Sequence, residues 1–371
     1  MPRTMLRIGA LPPLQVSPAT LVTVLLVAVL MFPSLQGPGL SAGRSALVAL
    51  GLGLFLILSV LVHELAHALV ARAFGARVDH IALTLWGGHT QYRAERMPAI
   101  GSVLVSLAGP ASNGLLAAAS GALGAIAAQG TVLSVTASFA TWLNVVLALF
   151  NLLPGLPMDG GRALESLLGA VLRRPVLGTR ITAWIGRAIA VGVVLLPLSR
   201  IVRLGGAGGF SLLTLLWALL IAGLLWQGAS RALEEARVQE RVGALDAAAL
   251  ARPVRLLAPH TPLAALPDGP GAEQVLLLDP ASPRPGTVGR ALRLQPEAVA
   301  AVPPGHRDQV PASAVAEPIG DVVALPTGLG GEELVSAMLA RPAPVYLVVD
   351  PDGRPQGVIL SADVNTLLRG R

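Results

Sequence analysis

Six stretches of this chain are each long and apolar enough to cross a lipid bilayer: Val16–Phe32, Ala46–Phe74, Ala99–Ala128, Thr131–Leu156, Ile181–Leu198 and Leu204–Ala229. The hydrocarbon core of a bilayer is about 30 Å thick and holds no water to satisfy backbone N–H and C=O groups, so each such run must be a helix that closes its own hydrogen bonds. The expectation for residues 1–230 is therefore a polytopic six-helix membrane domain. Composition agrees, since 53% of the chain is hydrophobic, only 13% is charged, and the mean hydropathy is +0.68. An ordinary soluble domain is excluded for this half.

Six crossings place both termini on one side. The net charge of +6 rests on arginine alone, because the chain has no lysine. One side collects Arg3, Arg7, Arg72, Arg77, Arg93, Arg96, Arg162, Arg173, Arg174, Arg180, Arg231, Arg237 and Arg241, whereas the other holds only Arg44, Arg200 and Arg203. Basic loops remain in the cytoplasm, so both termini are expected there, in a multi-pass protein of the cell membrane whose first span is retained. Aromatic residues make up 4% and interleave with no basic run, which removes the stacking platform that nucleic-acid binding needs. Cysteine is absent, so any metal must be held by nitrogen and oxygen.

Between the second and third spans, Val78–Tyr92 is β-leaning and broken by Gly87-Gly88, which predicts a short hairpin at the cytoplasmic face. After Ala229 the chain turns Pro-rich and charged, and a soluble α+β domain is expected over 231–371. It contains a repeat. Val275-Leu276-Leu277-Leu278-Asp279-Pro280 matches Leu347-Val348-Val349-Asp350-Pro351, and the anchors Asp279/Asp350 and Gly286/Gly357 are both 71 positions apart.

Within the second span lies His63-Glu64-Leu65-Ala66-His67. Residues four apart share a helix face, so both imidazoles can reach one metal ion, while Glu64, offset around the helix, is placed to act on water without ligating. Ionisable groups are costly inside a membrane, on the order of 2.5–3.5 kcal/mol for a mid-span carboxylate on insertion scales, and metal ligation offsets that cost. A catalytic zinc commonly takes three protein ligands. The candidate for the third is Asp159, in Asn151-Leu152-Leu153-Pro154-Gly155-Leu156-Pro157-Met158-Asp159-Gly160-Gly161, where two prolines end the fourth span and two glycines let the backbone turn inward.

The His63–His67 and Asn151–Gly161 segments, with Ala108-Gly109-Pro110-Ala111-Ser112-Asn113, resemble the paired signature of site-2 proteases, with Met158 where that family usually has Leu. The resemblance implies an intramembrane zinc metallopeptidase with Zn²⁺ on His63, His67 and Asp159, Glu64 as general base and Asn151 assisting substrate or oxyanion. Its substrate would be a membrane protein with a transmembrane segment. Gly109, Pro110 and Asn113 read as a close-packing feature. The hairpin, through Leu83, Leu85, Gly87 and Gly88, is expected to take up unwound substrate by strand addition, and His80 and His89 read as solvated loop histidines. The repeat resembles a tandem cystathionine-β-synthase (CBS) pair, which implies homodimerisation and an adenine-nucleotide site with Asp363 on the ribose. Half of that contact set is missing, with Leu360 where Thr or Ser is usual and Leu292 in place of the first copy's Asp. The competing class is a transporter or channel with a metal in its pathway, which would spread ionisable residues over several spans.

Overall fold

The computed structural model describes residues 5–6, 11–36, 41–84, 87–94, 97–204, 212–267, 274–280 and 285–370. Arg3, Arg7 and Arg96 of the sidedness argument and Leu85 of the hairpin lie outside the described residues. The chain divides into two compact units, Met1–Ala236 and Arg237–Arg371.

In the first unit, five helices among the described residues are long and apolar enough to span a membrane. They are α2 (Ala42–Ala73), α3 (Ala99–Ile126), α4 (Val132–Asn151), α6 (Pro175–Leu204) and α7 (Leu212–Gly243), and a shorter helix, α5 (Asp159–Leu172), lies between α4 and α6. The first expected span differs. Val16 closes strand β2 (Leu14–Val16), and helix α1 (Thr20–Met31) has only twelve residues. At about 1.5 Å per residue such a helix is about 18 Å long, well short of the hydrocarbon thickness.

The sheet explains the shortening. Strands β1 (Met5–Leu6), β2, β3 (Arg77–Thr84) and β4 (Gly87–Arg93) form one sheet in that order, with β2 parallel to β3 and β3 antiparallel to β4. At the inner end of β3, the Leu83 carbonyl accepts from the Ser17 N–H at 3.0 Å and from the Thr20 hydroxyl at 3.2 Å. From β4, the Thr90 hydroxyl reaches the Glu64 carbonyl at 3.0 Å. The hairpin thus packs along α2 as far as Glu64, and α1 starts beside its tip. Its backbone groups tolerate this position because they are paired within protein.

Where α4 ends, Pro154 and Pro157 forbid continuation, and residues 152–158 turn back against α6. The Leu156 N–H donates to the Thr182 carbonyl at 3.1 Å, and Leu156 and Met158 are buried. A Cβ on Gly186 would stand 1.9 Å from the Leu156 carbonyl oxygen, so only glycine lets α6 approach the loop that leads into Asp159.

The second unit holds α8 (Ala247–Leu250), β5 (Arg255–Leu257), β6 (Val275–Asp279), β7 (Gly289–Leu294), α9 (Pro296–Ala301), β8 (Ala316–Pro326), α10 (Gly331–Ala340), β9 (Val345–Val349), β10 (Pro355–Leu360) and α11 (Ser361–Arg369). Its sheet runs β10-β9-β8-β7-β6-β5. Strands β5 and β8 each lie parallel to the next strand, and that strand pairs antiparallel with the one after it. One expected equivalence fails. Leu277 and Val348 are 71 apart, yet their partners are Leu292 and Gly357, 65 apart, because the β6–β7 connection is the longer. Leu292 therefore occupies the position in its half that Gly357 occupies in the other, inside a strand, and is not the counterpart of Asp363. Asp363 itself pairs with Arg252 at 3.0 Å.

The glycine contact gives a direct test. Gly186→Ala should lower the thermal unfolding midpoint of the detergent-purified protein, a backbone overlap costing about 1–3 kcal/mol. Gly192→Ala in the same helix, with nothing within 4 Å of the new methyl, should leave it unchanged or raised. Equal midpoints for the two variants would contradict the packing described.

Candidate metal centre

Helix spacing puts His63 and His67 on one face of α2, and the loop after α4 delivers Asp159 to the same point at the start of α5. His63 Nε2 lies 3.0 Å from Asp159 Oδ2 and 3.1 Å from His67 Nε2, and His67 Nε2 lies 3.3 Å from Asp159 Oδ2. Both histidines are buried.

The outer ring nitrogens decide what these three atoms can be. His67 Nδ1 stands 2.6 Å from the Val105 carbonyl, which only accepts, so Nδ1 carries the proton and the neutral ring presents a lone pair at Nε2. His63 Nδ1 meets Asn113 Oδ1 at 3.2 Å, with the same outcome for its Nε2. The third atom facing this point is Oδ2 of the Asp159 carboxylate. Three electron-pair donors thus face one another, an arrangement that a cation satisfies. Four ligands about 2.0–2.1 Å from a zinc ion would stand about 3.3 Å apart along a tetrahedron's edges. The observed separations fit, and the residue types are those zinc takes.

Glu64 is buried outside that trio, on the wall of the same cavity of about 550 Å³. The Thr90 hydroxyl donates to its Oε2 at 2.8 Å. Gly88 lies against it so closely that a Cβ there would be 2.5 Å from Glu64 Cγ. Asn151 lines the cavity, and its Nδ2 donates back to the Leu147 carbonyl at 3.0 Å, leaving the second amide hydrogen for another acceptor.

Among the described residues the hairpin's free edge is that of β4, which carries Gly87 and Gly88 of the expected set but not Leu83. Leu83 is buried and its strand is paired on both sides, to β2 through Val16 and to β4 through Gly88. Since Ile81 N–H and Leu83 C=O point toward β2, their antiparallel partners Thr90 and Gly88 direct their own main-chain groups away from β3. Strand addition at Leu83 is therefore excluded by the sheet, and Gly88 and Thr90 form the open edge, facing the cavity with Gly87.

Asn113 and Gly109 are more than the packing feature expected. Asn113 orients His63, and a Cβ on Gly109 would stand 2.4 Å from His67 Nε2 and 2.5 Å from His63 Nε2. Their spacing of four puts both on one face of α3, but nothing in the sequence says that this face meets the two histidines. Thr90 gave no signal, as a threonine in a strand is unremarkable. His80 and His89 pair edge to face at 6.2 Å and are not part of the trio, although His89 lines the same cavity.

The profile of peptidase family M50 matches residues 52–135 and 119–195. Rip3 of Mycobacterium tuberculosis, provisionally named a zinc metalloprotease, is 37% identical over 196 residues, 50% of this chain and 49% of its own. YwhC of Bacillus subtilis, provisionally named in the same way, is 35% identical over 147 residues, 30% of this chain and 67% of its own. Among solved structures, the site-2 protease of Methanocaldococcus jannaschii is 23% identical, with a TM-score of 0.42 over 62% of this chain and 95% of its own. The chain spans about half the length of the first curated relatives it matches.

Two substitutions test the centre. Both imidazoles are pinned at Nδ1 and cannot step aside, so Gly109→Ala should drop the bound metal far below one equivalent per chain, although alanine favours the helix. Asn113→Leu should weaken metal binding about 10- to 100-fold in a chelator competition, the usual cost of losing a partner that orients a ligating histidine.

Proposed function

This chain belongs to peptidase family M50, the site-2 proteases, and from that premise we propose that it hydrolyses a peptide bond in or near a transmembrane segment of a membrane-protein substrate. The observation that carries this reading is the convergence of three metal-ligating atoms beside a buried glutamate, in a cavity walled by an open strand edge. His63, His67 and Asp159 would hold Zn²⁺, which when bound supplies the Lewis acidity that makes water nucleophilic at neutral pH.

The rest is the work of the chain's own groups. Glu64 takes the proton from water and returns it to the departing amine, with Thr90 fixing which carboxylate oxygen is engaged. Asn151 donates its free amide hydrogen to the substrate carbonyl as charge develops there. A helical substrate must unwind before cleavage, and its freed N–H and C=O groups find partners on the Gly88 and Thr90 main chain, a strand added to β4. The bilayer encloses this chemistry, with the sheet side and its arginine-rich loops toward the cytoplasm. Residues 237–371 serve as a CBS-type pair that brings two copies together. Since Asp363 is already paired with Arg252, a nucleotide would first have to break that contact.

Glu64→Gln, assayed with a tagged single-span substrate, should lower cleavage at least about a hundredfold while zinc stays near one equivalent. Retained cleavage at full zinc loading would end the assignment. The native chain has no cysteine, so a single cysteine at His89 or Gln91 can be crosslinked to cysteines walked along the substrate. Strand addition predicts crosslinks at every second substrate position, and a helical or patternless profile would rule it out.

A further inference from the structure

Helix α6 carries a cation the catalytic centre does not use. Arg187 lies inside an apolar span, and its guanidinium is built into a defined setting. Its Nη2 donates to the Ser230 hydroxyl at 3.0 Å, and its carbon lies 4.9 Å from the Trp184 ring centroid and 4.7 Å from that of Trp226. The spacing is that of helix neighbours: Trp184 precedes Arg187 by three on α6, and Trp226 precedes Ser230 by four on α7. No carboxylate stands among the guanidinium's partners in the described residues, and its Nε–H is buried without an acceptor.

Position in the span narrows the ligand. Arg200, thirteen positions further on, closes the apolar run at its far end. At about 1.5 Å per residue that is about 20 Å, so in a core about 30 Å thick Arg187 lies about 10 Å from the near boundary, the depth to which an arginine can draw a headgroup. Trp184 is 58% exposed and Trp226 45% exposed, so both rings border lipid. Arg231, next to Ser230 and exposed, adds a second cation at the same end of α7.

We propose that Arg187, Ser230, Trp184 and Trp226 form a site for the phosphate of an anionic phospholipid such as phosphatidylglycerol. The Nη hydrogens not engaged by Ser230 are the donors available to phosphate oxygens, the indoles cover the faces of the guanidinium, and the acyl chains run along the exposed surface of α6 and α7.

The test uses the full chain in vesicles, with Trp86, Trp142 and Trp217 changed to Phe so that emission reports only on Trp184 and Trp226. Brominated phosphatidylglycerol should quench at least fivefold more effectively than brominated phosphatidylcholine, and Arg187→Gln should abolish that preference. No preference in the parent, or an equal preference in the variant, overturns the site. Millimolar inorganic phosphate should not relieve the quenching; full relief would mean a soluble anion is the ligand and would also overturn it. A second measurement needs no variant. Native mass spectrometry of the unmodified protein from mixed micelles should retain one phosphatidylglycerol per chain, and retention no greater than that of phosphatidylcholine counts against the proposal.

Discussion

Lone pairs on His63, His67 and Asp159 meet within a few ångströms inside a bundle of apolar helices, on the wall of one cavity. Such a cluster is repulsive without a cation and cohesive with one, and much of the first unit is arranged to hold it in place. The Val105 carbonyl and Asn113 fix the ring tautomers from α3. Gly109 clears the space in which the imidazoles stand, and Gly186 lets α6 press the Asp159 loop inward. None of these four is a ligand, yet each sets where a ligand atom lies.

The second organising constraint is the sheet beside α2. Irregular or extended backbone is tolerated at membrane depth only where protein pairs with it. Here β2 covers one side of β3, β4 covers the other, and the start of α1 is tied to Leu83. Among the described residues the outer edge of β4 is open, and it faces the cavity that contains Glu64.

Hydropathy alone located five of the helices, because a run of apolar residues has no other solution in lipid. For Val16–Phe32 the structure has a shorter helix than hydropathy suggested, since that stretch is equally apolar whether it crosses alone or starts from a strand pairing with Ile81–Leu83, and that long-range pairing leaves no local mark. His63, Glu64, His67 and Asp159 were legible from helix spacing and from the proline and glycine breaks before α5. The role of Asn113 and Gly109 depends on which face of α3 meets α2, which spacing within α3 does not say. Leu83 looked like a docking residue because β propensity is blind to which edge of a hairpin is already taken. In the second unit, the 71-residue period held for β6 and β9 but not for the strands after them, because a longer connection shifted the register.

One hydroxyl joins two tasks that are usually separate. Thr90 sits on the open edge of β4 through its main chain, while its side chain holds both the carbonyl and the carboxylate of Glu64. Any chain added to that edge therefore pulls on the residue that positions the proton acceptor. A peptide seated one residue out of register would present the wrong face of its pleat and draw Thr90, and Glu64 with it, off line. Under the function proposed above, cleavage and alignment would share a single mechanical link, so that a misaligned substrate is bound without being cut and selectivity arises after capture as well as at entry.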